Sequence, residues 1–166
     1  GSSPRFTDCT FTDNTSFDGG AVLSDSSTLT LWRCVLEGNR AYNGDGGAVY
    51  STGAGGLVLV RCTLRNNVCT SGNGGGIRMA GDSARLIDCV FQGNVAWNGN
   101  GGGLHSINGN LLEMVNCLFV NNRASFGGGV YTFGDHTQPE PPAPTSRVVN
   151  CTFSENVAAT QGGGIL

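Results

Sequence analysis

The sequence predicts an all-β fold, a right-handed parallel β-helix of about six turns with three short strands in each turn. Three observations lead to this prediction. A cysteine is followed by Phe or Leu two positions later, by Asn five later and by a small residue seven later, and this pattern occurs six times at intervals of 25 to 34 residues. Glycine pairs followed by a branched aliphatic residue close every repeat. No helical periodicity runs through the chain. A fixed period of this length is typical of a solenoid whose repeats stack on one another.

We predict three strands in each repeat, as the repeat around Cys62 illustrates. The first strand follows the glycines (residues 49–51), the second alternates in polarity (57–59) and the third carries the cysteine (60–64). Alternation directs the cysteine and the following Phe or Leu inward. The phase of this alternation slips between the second and third strands, so we expect a corner or a bulge there.

The repeats extend over the whole chain, so residues 1–166 are predicted to form a single β-helix domain. The fifth repeat is longer than the others because residues 133–147 contain four of the five prolines. We predict this segment to be an extended, solvated loop insertion between the first and second strands of that repeat.

Two columns of identical side chains follow from the stacking of repeats. We expect asparagine amides to bond along the axis, because each amide offers both donors and acceptors. The cysteine column is interpreted as buried free thiols or as disulfides between adjacent turns, whose Cα atoms lie ~4.8 Å apart. A single column does not offer tetrahedral geometry, so no zinc site and no other cofactor is predicted. The two ladders consist of Cys9, Cys34, Cys62, Cys89, Cys117, Cys151 and of Asn14, Asn39, Asn67, Asn94, Asn122, Asn156.

The composition argues against nucleic acid binding and against a membrane-spanning helix. Only 13% of the residues are charged, every one of the nine basic residues is Arg, and the net charge is −3. This balance gives no electrostatic basis for binding nucleic acid. No apolar run approaches the ~18–20 residues of a membrane-spanning helix. The 28 glycines show no collagen period and are therefore expected to serve turns and close packing.

The motif F-x-x-N followed by G-G-[A/G]-[I/L/V] resembles the repeats of the chlamydial polymorphic outer-membrane proteins. The form that carries the cysteine is also similar to β-helix repeats of large secreted bacterial surface proteins. The resemblance covers nearly the whole chain and rests on structural residues. It implies an extracellular or cell-surface protein with a structural or adhesive role, and a carbohydrate or host-surface ligand.

The two ends of the repeat array are expected to associate with each other. Joining a second copy to Leu166 would place its Cys9 24 residues after Cys151, close to one turn. Such a head-to-tail surface does not close on itself and generates filaments. The residues expected at these contacts are Phe6, Cys9 and Phe11 at one end and Val157, Ile165 and Leu166 at the other. The alternative is an excerpt of a longer β-helix, or a capped module.

Three lateral features are candidate ligand sites. An outward column after the glycines contains Tyr50, Arg78, His105 and Tyr131, which would form an ordinary solvated face or a polysaccharide groove. The preceding turns place Asp45, Asn73 and Asn100 together, as tight turns or as a Ca²⁺ site. Tyr42 and Trp97 project from the same turns and are candidate contacts for a ligand or a neighbouring filament. No pair of carboxylates clusters as a hydrolase or lyase requires, so we predict a protein without catalytic residues.

Overall fold

The computed structural model describes residues 2–81, 83–107, 111–133 and 146–166. In these residues the chain forms four parallel sheets, of which three have six strands and one has five. Each of the first five turns adds one strand to each sheet, so that consecutive turns stack as expected for a parallel β-helix. The described residues include no helix with the length and hydropathy of a membrane span.

The strands are numbered in chain order, four to a turn. The first two turns contain β1 (Arg5–Thr7), β2 (Thr10–Thr12), β3 (Thr15–Ser16), β4 (Val22–Asp25), β5 (Thr28–Trp32), β6 (Val35–Glu37), β7 (Arg40–Ala41) and β8 (Val49–Thr52). The next two contain β9 (Gly56–Val60), β10 (Thr63–Arg65), β11 (Val68–Cys69), β12 (Ile77–Ala80), β13 (Ser83–Ile87), β14 (Val90–Gln92), β15 (Val95–Ala96) and β16 (Leu104–Ile107). The last two contain β17 (Leu112–Val115), β18 (Leu118–Val120), β19 (Arg123–Phe126), β20 (Val130–Phe133), β21 (Arg147–Val149), β22 (Thr152–Ser154) and β23 (Val157–Gln161).

The sheets are named after their first strands: the β1, β2, β3 and β4 sheets. The prediction of three strands per turn is wrong, since each complete turn has four. The segment expected to be one cysteine strand is divided between the β1 and β2 sheets, and the small-residue position lies in a short strand of the β3 sheet rather than in a bare corner. The predicted count of six turns is slightly high: five turns are complete, and the sixth lacks its fourth strand apart from a bridge between Val130 and Ile165.

Two of the left-handed backbone positions that recur in each turn create the corners on either side of the β2 sheet. The residue before each cysteine has φ between 50° and 54°, and the residue before each ladder asparagine has φ between 55° and 66°. The first set includes Arg33 (φ 51°) and Arg61 (φ 54°), which are unusual residues for this conformation. The Arg33 guanidinium donates to both carboxylate oxygens of Asp8 one turn below, at 2.6 and 2.5 Å. This contact orients a side chain whose backbone conformation is itself unfavourable.

Stacked columns of apolar side chains fill the interior. The rings of Phe91 and Phe119 are stacked at 4.5 Å, and those of Phe119 and Phe153 at 5.0 Å. Leu36 and Leu64 continue this column, and both are completely buried. Because equivalent residues lie directly over one another, a column of like side chains packs without gaps.

The asparagine ladder forms as predicted. The Asn94 Oδ1 atom accepts hydrogen bonds from the backbone N–H and the Nδ2 of Asn67, at 3.1 and 2.9 Å. The Nδ2 of Asn94 donates to the Leu64 carbonyl at 2.9 Å and to Asn122 Oδ1 at 3.0 Å. Four of these asparagines (Asn39, Asn67, Asn94 and Asn122) are completely buried. Their polar groups are nevertheless satisfied, because each amide binds the turns above and below.

Close approach between turns explains why glycine recurs before the β4 sheet. A Cβ atom added to Gly75 would lie 2.4 Å from the Gly102 carbonyl oxygen of the next turn. That distance is far inside van der Waals contact, so any side chain here would separate the turns.

The two end residues of the predicted insertion at 133–147 belong to strands. Phe133 is the last residue of β20, and Arg147 is the first residue of β21. Residues 134–145 lie outside the described residues.

The substitution Asn94→Ala is expected to destabilise the fold by about 3 kcal/mol. It removes the acceptor of two Asn67 donors and leaves the buried Leu64 carbonyl without its donor. Urea unfolding followed by circular dichroism measures the change. Asn98→Ala is the matched control, because Asn98 is exposed and donates only to the Thr70 carbonyl; its effect should stay within about 0.5 kcal/mol. Equal effects of the two substitutions would contradict a structural role for the ladder.

Candidate functional site

The four residues of the predicted ligand face lie in one column, but the two central residues are buried. Tyr50, Arg78, His105 and Tyr131 occupy one register column on the outer side of the β4 sheet. The expectation that this column is a solvated face is wrong for Arg78 and His105, which are only 6% and 3% exposed. Tyr50 and Tyr131 are half-buried. The column therefore offers two separated tyrosines rather than a continuous groove.

Arg78 is buried because a turn of the preceding repeat supplies its counterion. Its Nε lies 3.4 Å from Asp45 Oδ2, and its Nη1 donates to the Met79 carbonyl. The turn that contains Asp45 comes just before Gly46 and Gly47, which lead into β8. It therefore lies beside the outer face of the β4 sheet. Because its guanidinium is buried and bound to a carboxylate and a backbone carbonyl, Arg78 has a structural role.

His105 lies between a cation and an aromatic ring. Its ring stacks on Tyr131 at 4.8 Å with an interplanar angle of 7°, and its Nδ1 has no hydrogen-bond partner within the described residues. Burial, reinforced by the charge of Arg78 and opposed by Asp45, lowers the pKa of His105 from 6.5 to about 3. The imidazole is consequently neutral at physiological pH, and no carboxylate is bonded to it as a partner for proton transfer.

The turns considered for Ca²⁺ form a second hydrogen-bonded ladder. The Asp45 N–H donates to Asp18 Oδ1 at 2.7 Å, the Asn73 N–H donates to Asp45 Oδ1 at 2.6 Å, and the Asn100 N–H donates to Asn73 Oδ1 at 3.0 Å. These oxygens are thus occupied by backbone donors, and the Asp45 carboxylate also faces Arg78. Among the described residues no group of three or more His, Cys, Asp and Glu side chains could hold a metal ion. The tight-turn interpretation fits this geometry.

All seven cysteines are free thiols in the structure, and five of them are buried. The Cys62 thiol donates to the Leu31 carbonyl of the previous turn at 3.4 Å, and the Cys34 N–H donates to Cys62 Sγ at 3.5 Å. Cys69 occupies the small-residue position, and burial raises the pKa of its thiol to about 11. Hydrogen bonds with Cys117 and Cys62, together with burial, also raise the pKa of Cys89. The thiols act as small apolar residues.

A line of exposed aromatic residues runs beside the β3 sheet. Tyr42 and Trp97, expected to project from their turns, are 46% and 57% exposed. Phe17, which is 53% exposed, belongs to the same line and was not predicted. The signal for it was present in the sequence, because Phe17, Tyr42 and Trp97 each follow their repeat cysteine by eight residues.

The residues predicted at the end contacts differ in orientation. Phe6, Cys9 and Phe11 are half-buried inward residues of the first turn, and the two phenylalanine rings meet edge to face at 5.5 Å. Ile165 continues the inward column of Val130 and is 42% exposed.

Leu166 extends the outward column after Ile165 and is 39% exposed. Val157 pairs with Arg123 in the outward column of the β3 sheet and is 53% exposed, so it lies on the side of the last turn rather than in its interior. A depression of about 320 Å³ opens at the first turn, lined by Pro4, Phe6, Val22, Leu29 and neighbouring polar residues.

The buried neutral histidine predicts a specific loss of stability in acid. The folded-state pKa of His105 is below its unfolded value, so the unfolded chain binds the additional proton, and stability falls as the pH drops from 6.5 toward about 3. Above pH ~4.5, where most carboxyl groups remain ionised, the loss should approach 1.4 kcal/mol per pH unit. His105→Asn should flatten this slope in urea unfolding measured at several pH values. His136→Gln is the control and should leave the pH dependence of stability unchanged. A flattened slope in this variant would contradict the assignment to His105.

The thiols are expected to react in two classes with Ellman's reagent. Cys9 and Cys151 are partly accessible and should react in the folded protein, whereas the five buried thiols should react only on unfolding. All seven should titrate in denaturant without reductant. The Cys9→Ser/Cys151→Ser double variant should lack the fast class. A total below seven for the unreduced protein would support the disulfide interpretation instead.

A protein-family model described as the right handed beta helix region matches residues 1–166. No curated protein and no solved structure gives a significant match to the chain. The match covers every turn described above, including both partly exposed end turns, and it supplies the handedness of the coil. The chain belongs to the right-handed β-helix family.

Proposed function

We propose that this β-helix is a non-enzymatic structural protein whose end faces join copies of the chain head to tail. A filament or an adhesive stalk at an extracellular or cell-surface location belongs to the same proposal. The location and the adhesive role rest on the resemblance to chlamydial polymorphic outer-membrane proteins and related surface proteins. The head-to-tail contact rests on the geometry of the two end turns.

The polarity of the asparagine ladder is the observation that carries the proposal. At the first turn Asn14 donates its backbone N–H and its Nδ2 to Asn39, at 3.1 and 2.9 Å, and its own Oδ1 accepts nothing from the described residues. At the last turn Asn156 Oδ1 accepts from Asn122, and the Asn156 Nδ2 donates only to the Phe119 carbonyl among the described residues. One face thus presents an acceptor and the other presents donors in the same column.

The apolar surfaces of the end turns support the same contact. Phe11 and Phe153 occupy a column that is completely buried in the four turns between them, yet both are partly exposed. The depression beside Phe6 and Val22 lies where a further β4-sheet strand would stack on β4. Ile165 ends the same column on the opposite face. A second copy would therefore bring Ile165 over Val22, which continues the stack in register.

Unpaired strands at both ends add directional hydrogen bonds to this contact. β1, β2 and β3 each have one neighbour, as do β21, β22 and β23. Open sheet edges of this kind are templates for pairing with another chain. Because the two faces differ, the contact is heterologous and continues as an open filament.

The alternative is a polysaccharide-binding or polysaccharide-degrading module built on the outer face of the β4 sheet. It receives less support, since Arg78 and His105 are buried and the Nδ1 of His105 has no hydrogen-bond partner in the described part of the chain. Asp8 and Asp88 are each engaged by an arginine, Arg33 and Arg61 respectively, rather than paired with another carboxylate.

Electron microscopy of the purified chain tests the proposal. We expect filaments with an axial repeat near 29 Å, the height of six stacked strands at ~4.8 Å. Ile165→Lys should abolish them, because it places a charge in the apolar contact. Leu111→Lys is the matched control: Leu111 is 39% exposed, close to the 42% of Ile165, but lies on the side of the stack.

Thiol alkylation at rising protein concentration gives an independent readout. Stacking would cover Cys9 and Cys151, so their alkylation should slow as filaments form, whereas Ile165→Lys should keep both reactive. A monodisperse monomer at high concentration, with unchanged reactivity of both thiols, would overturn the proposal.

A further inference from the structure

The exposed aromatic line, here called the aromatic strip (Phe17, Tyr42 and Trp97), is formed by the backbone register. The Tyr42 N–H donates to the Ser16 carbonyl at 3.1 Å, and the Trp97 N–H donates to the Cys69 carbonyl at 2.9 Å. Each strip residue therefore occupies the same place in its own turn. The strip runs parallel to the axis of the β-helix, on its side, from the first turn to the fourth.

The rings of the strip are spaced along the axis rather than packed into one patch. Phe17 and Tyr42 lie on adjacent turns and meet edge to face at 5.8 Å. Thr70 takes the place between Tyr42 and Trp97, and its hydroxyl donates to the Tyr42 carbonyl. Tyr42 and Trp97 are thus two turns apart, ~9.6 Å along the axis. This spacing is comparable with two sugar residues of an extended polysaccharide.

Among the described residues, the positive charges beside the strip have no ion-pair partner. Six of the nine arginines form ion pairs. Of the remaining three, Arg5 lies over Trp32 in the β1 sheet. The other two, Arg40 and Arg123, share the outward column of the β3 sheet, next to the strip. The Arg123 guanidinium lies 5.9 Å from the Trp97 ring centroid.

We propose that the aromatic strip with Arg40 and Arg123 binds a linear acidic polysaccharide that lies along the axis of the β-helix. Sugar rings carry apolar C–H faces that stack on exposed aromatic rings, and uronate or sulfate groups would pair with the unpaired guanidiniums. The two kinds of contact lie in neighbouring columns that together span the first five turns. The site is distinct from the buried β4-sheet face and does not depend on end-to-end stacking.

The same features disfavour other macromolecules. A protein partner usually buries a contiguous apolar patch, whereas the strip is interrupted by Thr70 and is one residue wide. Nucleic acid binding needs many phosphate contacts, and this chain offers two unpaired arginines here against a net charge of −3. Two cations beside aromatic platforms fit a sparsely charged polymer with apolar ring faces.

Affinity gel electrophoresis with two cellulose derivatives tests the proposal. Carboxymethyl cellulose supplies a linear polysaccharide with carboxylates, and hydroxyethyl cellulose is its neutral counterpart. We expect carboxymethyl cellulose to retard the protein more strongly than hydroxyethyl cellulose. Tyr42→Ala/Trp97→Ala should weaken binding by roughly tenfold or more, because aromatic anchors dominate such contacts. Arg40→Gln/Arg123→Gln should abolish the preference for the charged polymer.

Two matched variants control for general surface changes. Phe133→Ala removes an aromatic side chain that is 54% exposed on the β4 sheet, and Arg85→Gln removes an arginine that is 60% exposed on the β1 sheet. Both should bind like the unmodified protein, and circular dichroism should show the same fold for all variants.

The proposal is overturned if neither polymer retards the protein, or if the controls lose as much affinity as the strip variants. It is also overturned if light scattering shows that Tyr42→Ala/Trp97→Ala changes association between copies while polymer binding is unaffected. In that case the strip is a lateral contact between chains.

Discussion

Hydrogen bonding between successive turns is the constraint on which the rest of the structure depends. The backbone of each short strand is satisfied only by the turns above and below, so every residue must lie over its equivalent. Asparagine fulfils this requirement in the buried ladder because it can accept from one turn and donate to the next. Glycine fulfils it at Gly75, where the neighbouring carbonyl leaves no room for a Cβ. The residues of the repeat motif are thus those that can stack on an identical residue of the next turn at a spacing of ~4.8 Å.

The same requirement explains how much of the fold could be predicted from the sequence. Columns, register and inward direction follow from spacing and alternation, and the structure has them as expected. The additional strand in each turn, which belongs to the β3 sheet, could not be predicted in this way, because β7 and its equivalents are only two to five residues long and carry no alternation. The slip in alternation predicted corners near Arg33 and Arg61, but their left-handed backbone could not be predicted, since arginine gives no sequence signal for that conformation.

The burial of Arg78 and His105 was missed for a different reason. Strand alternation places both side chains outward, and it does so correctly. Whether an outward side chain meets solvent depends on the turns beside the sheet, which here bring Asp45 to Arg78. Such contacts link residues 33 positions apart through the pitch of the coil. Alternation alone therefore identifies the core of a β-helix more reliably than its exposed sites.

This distinction separates the two kinds of surface on the molecule. The first and last turns continue the inward columns, so their chemistry repeats that of the core: phenylalanine, aliphatic residues and asparagine amides. The aromatic strip departs from that chemistry, because exposed Tyr42 and Trp97 contribute little to the interior. Within the described ranges Arg40 and Arg123 also lack the ion pairs that most other arginines form. Stability accounts for the first set of residues without further assumption. It does not account for the second, whose exposed rings and unpaired charges are better explained by a ligand on the side of the rod.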